Sequence, residues 1–274
     1  MLRVTIYDDF DPKKIADSGQ CFRITYLESG TWRFQCGSRY LHLRKSGPSA
    51  YEADCTPEDW NDFWYNYFDL SRDYRKIRKA VRPEDSYLQA AADSGAGIRI
   101  LRQEPWEMMV TFIISQRKSI PAIRHCIELL AARFGEKIDT GNEILYGFPS
   151  AEALTHASLE ALQQCGLGYR IPYIADAAQK VCDGTLDPLA LYSYDDDSLL
   201  AALKSIHGIG KKVASCISLF AYGRTCLAPV DTWIRRIIDE KYCGSNPFPQ
   251  YGDMAGIMQQ YLFYYAQMHK EEFD

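Results

Sequence analysis

Residues 203–238 read LKSIHGIGKKVASCISLFAYGRTCLAPVDTWIRRII, a helix end followed by a tight turn and a second helix. Gly208 and Gly210 frame the turn, and two glycines two residues apart let the backbone take positive φ and come close to a ligand. The amides from Gly208 to Lys211 then face outward at a helix N-terminus, an arrangement that suits a phosphate oxygen. The stretch therefore predicts a helical hairpin that binds phosphate.

The hairpin region is basic although the whole chain is acidic. Between Lys204 and Arg236 there are six lysines and arginines and a single carboxylate, Asp231, whereas the 274-residue chain carries a net charge of −5. An acidic balance argues against nucleic-acid binding as a bulk property of the chain. Any contact with DNA is therefore expected from a local basic face.

Length and composition indicate a globular protein. A chain of 274 residues with 47% hydrophobic residues is long enough for one large or two modest domains with packed cores. Charged residues at Arg3, Asp8 and Asp9 argue against a signal peptide. No stretch approaches the roughly 18 apolar residues of a membrane span, so no membrane association is expected.

The cysteines and histidines show no ligand pattern. The nine cysteines are scattered, with no Cys-x-x-Cys pair, and this favours a reduced intracellular protein with buried thiols over a disulfide scaffold. The five histidines also lack metal-ligand spacing. We expect neither a catalytic metal nor an organic cofactor.

The predicted fold class is α+β, with a small antiparallel sheet domain in front of a mostly helical domain. In residues 1–85, the alternating segments 32–36 and 39–44 flank a Gly37-Ser38 turn and predict a β-hairpin. Thr56 and Pro57 mark a helix start, followed by an aromatic stripe that is expected to be core. Residues 86–274 read as almost wholly helical.

The 203–238 stretch resembles the helix-hairpin-helix of the HhH-GPD superfamily of DNA glycosylases. The matching parts are the hairpin itself, Lys212 just inside the second helix, and the Pro-Val-Asp sequence that ends at Asp231, nineteen residues after Lys212. The resemblance implies that Lys212 is a nucleophile and that Asp231 assists it. By spacing alone, Lys211 and Lys212 are equivalent, and Asp231 could simply cap a helix.

Two further segments resemble the base pocket of 8-oxoguanine DNA glycosylases. Ser-Gly-Gln-Cys-Phe-Arg at 18–23 implies that the Gly19 carbonyl accepts a hydrogen bond from N7–H of the lesion, a proton that guanine lacks. The segment 255–263 implies Gln259 on the Watson–Crick edge of the lesion and Phe263 on one face. Cys216 is implied on the other face. Considered alone, Phe263 and Cys216 read as core residues.

Residues that meet the opposite strand are implied by two more segments. Gly-Tyr-Arg at 168–170 matches a loop that fills the place of a flipped nucleotide, with Tyr169 as the wedge and Arg170 on the opposite base. Arg117 and Ala122 align with an asparagine and an arginine that grip cytosine in eukaryotic members. Because Ala122 cannot grip a base, we expect weak selectivity for cytosine, as in the bacterial-type branch.

The resemblance implies a bifunctional 8-oxoguanine DNA glycosylase and AP lyase. Its partner would be double-stranded DNA containing 8-oxoguanine, and the enzyme would act as a monomer. Residues 1–85 would form a TATA-binding-protein-like domain and residues 86–274 the HhH-GPD catalytic domain. The expected location is the nucleoid in the cytoplasm of a bacterium, or the nucleus of a eukaryote.

Alternatives to this function are a related glycosylase for another damaged purine and a non-catalytic DNA-binding module. Lys212 argues against an alkylpurine glycosylase, since those members lack the lysine, and a simple module would not need Lys212, Asp231 and Gln259 together. The chain also lacks the C-terminal cysteine cluster that holds iron and sulfur in endonuclease III-type relatives. A monovalent cation at the hairpin carbonyls is compatible with the resemblance.

Overall fold

The computed structural model describes residues 1–273. Its N-terminal part is a five-stranded antiparallel sheet in the spatial order β1-β5-β4-β3-β2. The strands are β1 (Leu2–Thr5), β2 (Ile24–Tyr26), β3 (Thr31–Cys36), β4 (Arg39–Lys45) and β5 (Ala50–Ala53). The predicted hairpin is confirmed as β3–β4, with Phe34 opposite Leu41 and both fully buried. Gly37 has φ +59 in the two-residue turn, as such hairpin turns require.

Short helices pack against this sheet. They are α1 (Pro12–Asp17), α2 (Pro57–Asp59), a π-helical turn (Trp60–Trp64) and α3 (Tyr65–Tyr67). Thr56 caps α2 by accepting a hydrogen bond from Asp59 N at 3.1 Å, as predicted. The aromatic stripe is also confirmed as core, because Trp64 and Phe68 are buried in one cluster with the sheet residue Phe34.

The remainder of the chain is mainly helical. The helices are α4 (Tyr74–Lys79), α5 (Ser86–Ser94), α6 (Pro105–Ser115), α7 (Ile120–Phe134), α8 (Ala151–Thr155), α9 (Leu159–Gln164), α10 (Ile171–Cys182), α11 (Asp196–Lys204), α12 (Lys211–Phe220), α13 (Thr232–Lys241) and α14 (Ala255–Met268). Helix α6 is central, since all its residues from Pro105 to Ile114 are buried. It therefore provides a rigid wall behind the site described below.

One part of the helical region departs from the prediction. Strands β6 (Lys137–Asp139) and β7 (Ile144–Tyr146) form a second antiparallel hairpin. Three residues per strand are too few to show the alternation on which strand prediction depends. The hairpin lies against the first sheet, where Gln35 Nε2 donates to the Tyr146 carbonyl at 3.2 Å and His42 Nε2 lies 2.9 Å from Glu143.

A buried carboxyl group joins the sheet to α6. Glu107 Oε2 accepts a hydrogen bond of 2.6 Å from Gly37 N in the β3–β4 turn. Burial raises the pKa of Glu107 to about 7, and the nearby Arg23 charge opposes that rise. The contact between sheet and helices therefore contains a group that titrates near neutral pH.

All nine cysteines are free thiols, and most of them are buried or half-buried. Among residues 1–273, no helix combines the length and the apolar character needed to cross a bilayer.

Candidate active site

Lys212 and Asp231 are placed by two helix N-termini. Lys212 is the second residue of α12, and its side chain is half-buried. Asp231 precedes α13 and accepts a hydrogen bond from Ile234 N at 2.8 Å, which confirms the predicted cap. Within the described part of the chain, no salt bridge joins the two side chains, although both line one small pocket.

This pocket has a volume of about 60 Å³, which holds about two water molecules. The structure brings all the predicted catalytic and base-pocket residues together in its lining: Gly19, Lys212, Cys216, Asp231, Gln259 and Phe263. Phe112 and Phe220 add an apolar wall of stacked rings whose centroids are 5.6 Å apart. Lys212 Nζ lies 5.8 Å from the centroid of Phe112.

Buried hydrogen bonds hold the backbone on both sides of Gly19. The Ser18 carbonyl accepts a hydrogen bond from Gln260 Nε2 on α14. Gln20 Nε2 donates to Ser18 Oγ at 2.8 Å and to the Arg99 carbonyl at 2.9 Å. Gly19 itself has φ +73, so its carbonyl orientation depends on a conformation that few other residues adopt. The pocket wall is therefore built from rigid backbone.

Phe263 lies against Gly19 where the small pocket meets the larger cleft. A Cβ placed on Gly19 would lie 2.8 Å from Phe263 Cε1, so the glycine and the ring are in close contact.

Gln259 presents an unsatisfied polar atom to the pocket. Its side chain is 4% exposed, and its Oε1 is buried without a hydrogen-bond partner. A buried acceptor without a partner costs about 1–3 kcal/mol. Each such atom in a native protein calls for an explanation, and a bound ligand is one of them. A ligand with an N–H donor would satisfy it.

Cys216 lies between Lys212 and Phe220 on the same face of α12. Burial raises the pKa of its thiol, and the neighbouring Lys212 charge opposes that rise. A neutral, buried thiol is a poor nucleophile. Cys216 can therefore pack against a planar group without competing with Lys212 as a nucleophile.

A larger cleft of about 1100 Å³ adjoins the small pocket. The two share Gly19, Phe112, Lys212, Asp231 and Phe263 as lining residues, so the pocket opens onto the cleft. The basic residues of the cleft are Arg117, Lys118, Lys212, Arg235 and Lys270, and its one acidic residue is Asp231. A cleft of this charge attracts a polyanion.

The predicted wedge loop is a 3₁₀ turn, Gly168–Arg170, in which Tyr169 is 50% exposed. Arg170 is buried, because its guanidinium lies 4.4 Å from the Tyr169 ring and donates to the Gln116 carbonyl at 3.1 Å through Nε. The contact of Arg170 with an opposite base stays a prediction. It would require the Arg170 guanidinium to leave the Gln116 carbonyl. Arg117 is exposed at the cleft and has φ +53, an uncommon conformation for a residue other than glycine.

The two hairpin glycines differ in conformation. Gly208 has φ +82, and a Cβ there would lie 2.3 Å from Tyr173 Cδ2. Gly210 is extended, with φ −90 and ψ −179, and nothing lies within 4 Å of its Cβ position. Of the two glycines, only Gly208 therefore uses the positive φ that they allow, and Gly210 caps α12 in the extended conformation typical of that position. Lys211, the next residue, is exposed.

Two family models match the chain. The model of the 8-oxoguanine DNA glycosylase N-terminal domain matches residues 1–109. The model of HhH-GPD superfamily base excision DNA repair proteins matches residues 110–260, which is more than half of the chain. This chain belongs to the HhH-GPD superfamily.

Individual HhH-GPD proteins resemble the chain over most of its length. A probable N-glycosylase/DNA lyase of Methanothermobacter thermautotrophicus is 32% identical over 228 residues, or 73% of this chain and 72% of the relative. The structure of MBOgg1 with a low-affinity DNA ligand has a TM-score of 0.92 at 37% identity, covering 98% of this chain and 96% of that one. The 8-oxoguanine glycosylase/lyase of Clostridium acetobutylicum, solved with double-stranded DNA, has a TM-score of 0.88 at 31% identity and covers 98% and 99%.

The HhH-GPD site also contains residues that the sequence analysis did not single out. Phe220 follows Lys212 and Cys216 at spacings of four residues, so helical periodicity alone would have placed it on their face. Gln260 adjoins the predicted Gln259, but its hydrogen bond to Ser18 joins residues 242 apart and has no signal in the sequence.

Proposed function

We propose that this chain is a bifunctional 8-oxoguanine DNA glycosylase and AP lyase that acts on double-stranded DNA. One observation carries the proposal: Lys212 and Asp231 line the same pocket as Gly19, Gln259 and Phe263. It is supported by the relatives, which are named a probable N-glycosylase/DNA lyase and an 8-oxoguanine glycosylase/lyase. The reaction would belong to base excision repair.

Recognition of the lesion would use a base flipped out of the duplex. The Gly19 carbonyl would accept the hydrogen bond from N7–H that 8-oxoguanine has and guanine lacks. The unsatisfied Oε1 of Gln259 would accept from an N–H group on the Watson–Crick edge. Phe263 and Cys216 would enclose the two faces. A pocket built around one hydrogen bond strongly rejects a base that cannot form it.

Lys212 would supply the nucleophile. Its amine attacks C1′ of the deoxyribose, a C1′–nitrogen bond forms, and the bond from C1′ to N9 of the base breaks, with the electron pair leaving on the base. The nitrogen then loses a proton and the C1′–O4′ bond breaks, which opens the sugar ring, leaves O4′ as a hydroxyl group and forms a C1′=N Schiff base. This Schiff base acidifies C2′, so loss of a C2′ proton expels the 3′ phosphate by β-elimination. The Asp231 carboxylate would balance positive charge that develops at the sugar, while its bond to Ile234 N fixes its position.

Borohydride trapping tests the proposal, because it reduces the Schiff base to a stable protein–DNA adduct. Wild-type protein should form the adduct on a duplex containing 8-oxoguanine, and Lys212→Gln should not. Lys211→Gln removes the same charge one residue away and should still form the adduct. Absence of a wild-type adduct, or an adduct that persists in Lys212→Gln, would reject the assigned nucleophile.

The same experiment separates the alternative functions. A glycosylase for another damaged purine would be trapped on a different lesion duplex and not on 8-oxoguanine. A non-catalytic module would bind DNA without any adduct. The position of Lys212 in the pocket lining supports neither a glycosylase for another damaged purine nor a non-catalytic module.

The proposal includes the organisation and setting of the enzyme. Residues 1–85 and 86–274 would act as two domains that share one site, since Gly19 from the first meets Phe263 from the second. We also propose that the enzyme acts as a monomer, which sedimentation at working concentration would test. The enzyme would work where genomic DNA lies, in a nucleoid or a nucleus.

A further inference from the structure

Arg235 and Lys270 line the large cleft but have no part in the proposed excision chemistry. Arg235 lies on α13, four residues after Asp231, and Lys270 begins the 3₁₀ turn Lys270–Phe273 that follows α14. Both side chains are exposed. The cleft adjoins the hairpin, since Lys212 and Val213 line it, but the residues from Gly208 to Lys211 do not.

The cations of the cleft differ from the others in their pairing. Across residues 1–273, sixteen of the 31 lysines and arginines form an ion pair with a carboxylate. In that same part of the chain, none of the five cleft cations forms such a pair. Ten of the 26 lysines and arginines outside the cleft are also without a carboxylate partner in that part of the chain, so the cleft is distinguished by having all five of its cations unpaired side by side. This clustering leaves positive charge for an external anion.

Adjacent arginines on α13 show the contrast directly. Arg236 Nε lies 2.7 Å from Glu240 Oε1, and its guanidinium lies 5.6 Å from the centroid of Phe273. Arg235 is about 100° around the helix from it and lines the cleft, with no carboxylate partner in residues 1–273. The two side chains therefore have the same chemistry and different surroundings.

The anion that fits this cleft is the phosphate backbone of DNA. A flipped nucleotide stays bonded to the phosphates on each side of it, so its strand must cross the mouth of the lesion pocket. That mouth opens onto the cleft, because the two share five lining residues. A guanidinium and an ammonium are well suited to phosphate, the first through a planar pair of donors and the second as a point charge.

We infer that Arg235 and Lys270 bind backbone phosphates of the strand that carries the lesion, at a subsite separate from the hairpin. The inference rests on the proposed function, since it takes duplex DNA as the substrate. It assigns these two residues to binding of the strand and leaves the chemical step to the pocket.

Salt dependence of DNA binding tests the subsite. The slope of the logarithm of the DNA association constant against log salt is negative, and its magnitude decreases by about 0.9 for each phosphate contact that is lost. The double variant Arg235→Gln/Lys270→Gln should therefore have a slope whose magnitude is smaller by about 1.8 than that of the wild type. Between about 50 and 200 mM salt, the factor by which salt weakens its binding should be about twelvefold smaller than for the wild type. Fluorescence anisotropy on a duplex with an uncleavable abasic analogue would measure it.

Arg236→Gln is the matched control, since it removes one positive charge from the adjacent position on the same helix. Its slope should equal that of the wild type, and Arg235→Gln alone should differ from it by about 0.9. Equal slopes for Arg235→Gln and Arg236→Gln, with both proteins folded by thermal melting, would overturn the inference.

Borohydride trapping separates failure of the subsite from failure of the proposed function. If the wild type forms an adduct while the slopes are equal, the subsite is wrong and the enzyme assignment stands. If the wild type forms no adduct on any lesion while the slopes differ as stated, the phosphate subsite stands and the enzyme assignment is wrong.

Discussion

Alanine at Gly208 is expected to destabilise the hairpin far more than alanine at Gly210. Gly208 has φ +82, where a Cβ would lie 2.3 Å from Tyr173 Cδ2, whereas Gly210 is extended and its Cβ position is open. Tyr173 also packs edge-on against His207 and Tyr169. A shift of its ring would therefore disturb both the hairpin and the wedge loop.

The expected magnitudes follow from these two geometries. For Gly208→Ala, the left-handed conformation costs about 1–2 kcal/mol and displacement of a packed ring costs about 1–3 kcal/mol. The free energy of unfolding should fall by about 2–5 kcal/mol. For Gly210→Ala, reduced freedom of the unfolded chain adds about 0.4–1 kcal/mol, and the poorer helix cap removes about as much. Its stability should stay within about 1 kcal/mol of the wild type.

Urea denaturation and DNA binding together measure the contrast. Gly208→Ala should lower the denaturation midpoint at an unchanged slope against urea. Gly210→Ala should leave the midpoint nearly unchanged and weaken DNA binding about tenfold or more, because its methyl group would keep a phosphate from the amides at the start of α12. Equal midpoints for the two variants would refute the argument from Gly208, and unchanged affinity in Gly210→Ala would refute phosphate binding at these amides.

Three further outcomes are expected. Burial raises the pKa of Glu107 from 4.5 to about 7, so its contribution to stability is complete below about pH 4.5 and is lost as the pH rises through 7. Between pH 5 and 8, the wild type should lose about 2–3 kcal/mol of unfolding free energy relative to Glu107→Gln, measured by urea titrations, and parallel curves would contradict this. Asp231→Asn should keep the cap and stay within about 0.5 kcal/mol of the wild type, whereas Asp231→Ala should lose about 1 kcal/mol. Single-turnover assays should show loss of excision in both, and retained excision in Asp231→Asn would remove the proposed role of the carboxylate. Because Ala122 cannot grip a base, excision rates should be similar opposite C, A, G and T, and a steep preference for cytosine would contradict the expectation.

Local patterns in the sequence predicted most of the fold. The β3–β4 hairpin follows from alternation around Gly37-Ser38, and the caps at Thr56 and Asp231 follow from residue type beside a helix start. Such features depend on neighbours in sequence, so a single chain contains the information. The β6–β7 hairpin depends instead on contacts with a distant sheet, such as that of Gln35 with Tyr146.

The sequence predicted some features of the site and missed others. The six pocket residues were named from motifs and do line one pocket, but their roles remain proposals. The burial of Arg170 against Tyr169 and Gln116 had no signal, because an arginine in a loop is usually exposed. Arg235 and Arg236 are indistinguishable in the sequence, and only the positions of Glu240 and Phe273 show that they differ.

The hydrogen bond from Gln260 to Ser18 joins the two ends of the chain, 242 residues apart. A ribosome makes Lys212 and Asp231 well before it makes α14. A chain that ends before α14 would have Lys212 and Asp231 but would lack Gln259, Gln260 and Phe263. If these residues act as proposed, such a product would lack the side of the pocket that recognises the base.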